Sequence, residues 1–369
     1  MCKFGVKGLA RLTLFVLAIT AVTPVWAINI RIDYSRDGNN FFGAGNPDGA
    51  TAGAQAKAAL EAAAAFYSDA LEDTFSSIDV PNKFYGSKGG EATYFWKRRF
   101  INPATGLNDA QVNAEFSENE YVIYAGARDL PGDALGLGGP GGFVGGFAVR
   151  VGEFTSEESA DITATAAQFA SESTKRGETS GFGRWGGSLA FDRPTNWHFD
   201  HTTNPGATER DFFSVALHEL GHTLGLGASD EWNALVSGTG FTGANSLRIH
   251  SPSGNVPLAS ADDTGHWLQS IDDSPVYEGS GNQKPIMVPS IAPGVRRHLT
   301  NLDAAALADI GWEIDLPGAN ASAAMLASVD LSGGSSSVAA LSASITPEPG
   351  SVILAVMAAS GTALLRKRR

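Results

Sequence analysis

The stretch "RDFFSVALHELGHTLGLGASDEW", residues 210–232, constrains this chain more than any other. Phe213, Leu217, Leu220 and Leu224 recur at helical spacing and form one apolar stripe, which predicts a helix with one buried side. Asp211 suits the N-cap, where a carboxylate accepts hydrogen bonds from the free amides of the first turn. His218 and His222 are four apart and stack on one face, so two imidazoles can converge on one metal ion. Glu219 then stands beside that ion, placed to take a proton from water. Gly225 and Gly227 can adopt the left-handed backbone that stops a helix and turns the chain. Two surface histidines matching the pattern by chance are the competing reading, and the stripe, cap and glycines weigh against it.

Two ligands on one helix hold zinc weakly, so a catalytic site needs a third protein group and an open position. Here the sequence resembles a family. "DFFSVALHELGHTLGLG" is similar to the active-site helix of matrixin-type metzincins, which are secreted zinc endopeptidases. The resemblance implies Zn2+ as cofactor, His218 and His222 as ligands, Glu219 as general base and Gly225 as the turning glycine. It also implies that "GGSLAFD" (186–192) is an edge strand along which a polypeptide substrate lies extended. The family's third histidine would fall at position 228, where this chain has Ala228.

Later residues must therefore supply the third ligand. Asp230 is nearest, although Ser229 or Asp230 is better read as the cap of a short helix through "EWNALV". His250 sits among turn residues, and His266 lies in "DDTGHWLQ" between Gly265 and Trp267. His298 precedes a final helix, "NLDAAALADIGWEI" (301–314). The resemblance also implies a methionine turn beneath the metal, downstream of the third ligand. Of the four methionines, only Met287 in "KPIMVPS" lies within the expected domain, with a plain core methionine as the competing reading. That order places His298 on the wrong side and points to His266, with Asp230 second and His250 third. A third histidine displaced far downstream is similar to the leishmanolysin-like branch of metzincins.

Elsewhere, residues 28–35 alternate as a strand, an alanine-rich helix follows and ends near Asp73, and "EYVIYAGARDL" is a second strand. The glycine-rich run 134–147 lacks the Gly-Lys-Ser/Thr ending of a phosphate cradle and is expected to be a flexible surface connection. Residues 155–171 fit either a helix or a loop. The fold class expected is α+β. A metzincin-like domain over 28–315 would carry a twisted mixed sheet, a long active-site helix and a loop-rich C-terminal subdomain. An Ala/Ser/Gly-rich linker then covers 316–346.

Both ends look like addresses. Residues 1–27 combine Lys3, Lys7 and Arg11 with an apolar run and Val25-x-Ala27, the pattern of a secretory signal cut after Ala27. Residues 347–369 join Pro347-Glu348-Pro349, a short apolar helix over 352–365 and four terminal cations. This resembles the PEP-CTERM sorting signal of Gram-negative bacteria. It implies transient inner-membrane anchoring through a short transmembrane helix, then removal of the tail by a sorting peptidase, leaving the protein at the cell surface or outside.

Residues 1–27 and those after Pro349 hold seven cations and no acids, so their loss takes the net charge from −13 to −20. A chain that acidic should repel nucleic acid. The single cysteine, Cys2, lies inside the signal, so an exported mature chain would rely on its core and bound metal rather than disulfides. The function expected is an exported zinc-dependent endopeptidase. The alternative, motivated by Ala228 and the sorting tail, is a catalytically inactive exported surface or matrix protein that keeps the fold.

Overall fold

Alternating and apolar runs early in the chain build a sheet whose two faces are both buried. The computed structural model describes residues 28–177, 184–250 and 254–317, all within a unit spanning Met1–Ala319. The expected export signal, most of the linker and the sorting tail lie outside the described residues. Among the described residues, no helix is long and apolar enough to cross a membrane.

In chain order the elements are β1 (Asn29–Asp33), α1 (Ala50–Ala70), β2 (Phe84–Tyr85), β3 (Glu91–Ile101), β4 (Asn108–Val112), β5 (Glu120–Arg128), β6 (Gly136–Pro140) and β7 (Gly142–Val151). There follow α2 (Ser156–Lys175), β8 (Gly186–Asp192), α3 (Phe212–Thr223), α4 (Asp230–Ala234), α5 (Ala244–His250) and α6 (Asn301–Asp309). From Thr223 to α6 the chain otherwise forms turns and two-residue strand pairings, the loop-rich region expected. The result is mixed α+β, with two four-stranded sheets in place of one.

The first sheet has the order β1-β5-β8-β6, with β1, β5 and β8 parallel and β6 antiparallel to β8. Along β5, successive side chains serve opposite faces. Tyr121, Ile123, Ala125 and Ala127 join one core with α1 and α3, while Val122 and Tyr124 join a second core with β3 and α2. Helix α1 buries Ala56, Leu60, Ala63, Ala64 and Tyr67 at three- and four-residue spacing, and its small side chains let it lie close to α3 and β1. The uncertain segment 155–171 is helical. Thr155 and Glu158 close a capping box at its start, and Ile162 and Phe169 are buried beneath it.

Two expectations need correction. The glycine-rich run is not a flexible connection, because it contains β6 and much of β7. Nor is 186–192 an edge strand: β8 pairs with β5 on one side and β6 on the other, so β6 forms the open edge beyond it. Glycine misled the reading because it usually weakens strands, yet here it answers a packing demand. A Cβ at Gly138 would collide with the backbone of Glu219, and one at Gly136 would meet the Glu219 side chain. The edge strand runs so close to α3 that only glycine fits.

Candidate metal centre

Helix α3 is held at both ends by side chains that satisfy its free backbone groups. At the start, the Asp211 carboxylate accepts from the Ser214 amide at 3.1 Å and from its hydroxyl at 2.5 Å. Arg296 grips the same carboxylate, with Nη2 to Oδ1 at 2.6 Å. At the other end, Tyr121 donates its hydroxyl to the Thr223 carbonyl at 2.8 Å, and Trp312 Nε1 donates to the Leu224 carbonyl at 2.7 Å. Tyr67 from α1 donates to the Leu217 carbonyl at 2.9 Å. The helix is thus fixed in rotation, which directs His218 and His222 outward from the stripe that includes Leu217, Leu220 and Leu224.

Beyond α3 the chain turns at Gly225 (φ 101°) and Gly227 (φ 70°), both in the left-handed region. A Cβ at Gly227 would collide with the Gly265 carbonyl, so the loop carrying His266 rests backbone-to-backbone on this turn. Trp232 Nε1 donates to the Thr264 carbonyl at 2.9 Å, and Trp267, fully buried, packs against Trp232 and Phe241. The residue at 228 is therefore beside the place where a remote loop returns. His266 comes back to the helix one residue after the Gly227–Gly265 contact.

The three ring Nε2 atoms converge. His218 and His222 are 3.1 Å apart, His222 and His266 3.1 Å, and His266 and His218 3.3 Å. Each Nδ1 faces an oxygen: the Ile286 carbonyl at 2.8 Å for His218, the Leu226 carbonyl at 2.7 Å for His222, and Asp263 Oδ1 at 2.8 Å for His266. Those acceptors hold the ring protons on Nδ1, leaving three Nε2 lone pairs pointed at one another. Such lone pairs cannot bond among themselves and call for a cation between them. Tetrahedral ligands at about 2.0–2.1 Å from zinc stand about 3.3 Å apart, so the donor set fits Zn2+. Burial, then the neighbouring imidazoles, pushes His218 well below its usual range; burial and His266 bring His222 down to about 4. Both rings are therefore neutral and ready to ligate at neutral pH.

Glu219 is buried, at 5 % exposure, and burial raises its carboxyl to about 8 although the Gly138 amide faces it as a donor. A carboxyl so placed, next to a metal-binding cluster and at an open strand edge, is equipped to exchange protons. Met287 is fully buried, and a Cβ on Gly221 would come within 2.8 Å of its sulfur. The sulfur thus lies under the helix between the two histidines.

The other candidates fall elsewhere. Asp230 is the first residue of α4, whose Ser229 cap accepts from the Trp232 amide at 3.1 Å. His250 ends α5, and the His298 ring lies against Phe213. Among the described residues, His218, His222 and His266 form the one group whose ligand atoms can hold a metal ion together. Asp263 escaped the sequence reading, although a carboxylate three residues before a candidate ligand was a legible signal.

The Matrixin family model matches residues 157–250, about a quarter of the chain, from α2 through the motif helix to the end of α5. No curated protein and no solved structure matches the chain. The family match and the histidine cluster together support a zinc-dependent peptidase of the metzincin type.

Proposed function

We propose that this protein is an exported zinc-dependent endopeptidase in which His218, His222 and His266 hold the metal and Glu219 is the general base. The observation that carries the reading is the convergence of three Nε2 atoms within 3.3 Å of one another, beside a buried carboxyl and an open strand edge. Bound zinc would supply Lewis acidity and lower the pKa of water from 15.7 toward about 7.

The chain's own residues do the rest. Glu219 accepts the proton of the attacking water and hands it to the leaving amine. The positive charge of the metal site favours its ionised form and so opposes the effect of burial. Strand β6 binds the substrate. In its ladder Leu135 accepts from the Asp192 amide and Gly141 donates to Gly186, so alternation turns the backbone groups of Gly136 and Gly138 away from β8, the Gly138 amide toward Glu219 and the others toward the open edge. An extended polypeptide pairs there as an added strand, which brings a peptide carbonyl to the histidines.

A far-downstream third ligand suits a leishmanolysin-like arrangement, in which His266 would replace the histidine absent at position 228, and this favours the enzyme over an inactive scaffold. Cleavage of an unfolded casein-type substrate, measured alongside zinc content, tests the proposal. Wild type should carry about one zinc per chain and cleave, while Glu219→Gln should keep the zinc and lose cleavage. A zinc-free wild-type chain would return the protein to the scaffold reading.

A further inference from the structure

Resting on the zinc reading above, we infer that Asp303 is a positioning residue that locks two of the three histidine ligands with a single carboxylate. Asp303 sits in the first turn of α6 and is fully buried. Its Oδ1 accepts from Trp267 Nε1 at 2.9 Å and from the Met287 amide at 3.3 Å. Its Oδ2 accepts from the Ile286 amide at 2.9 Å, and from the Thr300 amide and hydroxyl at 3.0 and 2.7 Å.

Two of these bonds lead to the ligands. Trp267 follows His266 directly, so tethering its indole fixes the backbone that aims the imidazole. Ile286 supplies the carbonyl that accepts from His218 Nδ1, so tethering its amide fixes that carbonyl. The Trp267 amide also donates to the Met287 carbonyl at 2.9 Å, which closes the connection between the two loops. The Thr300 bonds cap α6 and need no metal to explain them. The Trp267 and Ile286 bonds instead tie α6 to the two segments that carry His266 and the carbonyl facing His218. An ionised carboxylate suits five donors because its oxygens only accept. Asparagine offers one oxygen and turns an amide group toward donors, so even this isosteric change breaks the arrangement.

Zinc titration of the full chain tests the inference, with Co2+ substitution as a second readout, since its visible spectrum reports ligand geometry. Trp267→Phe keeps the aromatic packing and deletes one tether. It should weaken zinc affinity about 10-fold or more, the scale typical of groups that orient metal ligands, and alter the cobalt spectrum. Asp303→Asn should do the same more strongly. Leu307→Ala, a core truncation on the same helix that leaves the carboxylate in place, should lower thermal stability with unchanged zinc affinity and an unchanged spectrum. If Trp267→Phe matches wild type in affinity and spectrum, or Leu307→Ala perturbs both equally, the positioning role is wrong while the zinc site stands. A wild-type chain that binds neither ion overturns the zinc reading itself.

Discussion

On the proposed reading, Glu219 and Asp263 are the two carboxyls that turn the histidine cluster into a working site. Glu219 follows His218 directly, and its carboxyl lies against Gly136 and Gly138 of the open strand edge. General acid–base groups contribute about 10²–10⁴-fold to rate. Glu219→Gln should therefore lower kcat by at least that factor with zinc content intact, as read by steady-state cleavage and metal analysis. Asp263 acts through His266, whose Nδ1 it holds at 2.8 Å. Asp263→Ala should weaken zinc binding about 10–100-fold, measured by competition with a chromophoric chelator. At this scale the sequence was largely legible. The facing of His218 and His222 follows from helical spacing, and His266 was singled out only through the methionine turn that the metzincin resemblance implies at Met287. Asp303 was not legible, because its role depends on donors from loops far apart in the chain.

Among the elements, β6 and α3 depend on each other most. Because β6 passes directly over Glu219, Gly138→Ala must push strand from helix, and overpacking of this kind costs about 1–3 kcal/mol. The expected result is a thermal midpoint lower by several degrees, together with a larger loss of substrate binding than of zinc binding. This element also marks where sequence reading failed. Glycine composition describes local freedom, whereas the close approach that makes glycine necessary is a tertiary fact.

Helix α2 offers a separate test. Bonds from the Ser87 and Thr155 amides hold the Glu158 carboxylate down to about 2 from an ordinary 4.5. A depressed carboxyl stabilises the fold fully above its unfolded value, and that contribution is lost as pH falls from about 4.5 toward 2. Urea titrations over this window should show wild type losing stability, and Glu158→Gln lacking that part of the pH dependence. Equal slopes for both proteins would remove the capping box from the account.

Across the whole molecule, the metal site ties together segments remote in sequence: α3, the returning loop at 266 and the Ile286–Met287 floor. A ligand bound only by the folded state stabilises it by about 4 kcal/mol at a thousandfold excess over its Kd. Chelation should therefore lower the thermal midpoint by on the order of 10 °C, since a chain of this size shifts roughly 2–4 °C per kcal/mol. Re-addition of zinc should restore it. The fold class was readable from alternating and helical patterns, but the division into two sheets was not. Apart from the glycine-rich β6 and β7, both sheets use strands of ordinary composition, and only pairing decides which strand joins which.

The third ligand carries the most weight, and zinc titration of wild type, His266→Ala and Asp230→Ala tests it directly. The geometry predicts stoichiometric, tight binding by wild type and Asp230→Ala, and loss of tight binding by His266→Ala. Undiminished affinity in the His266→Ala chain would contradict it.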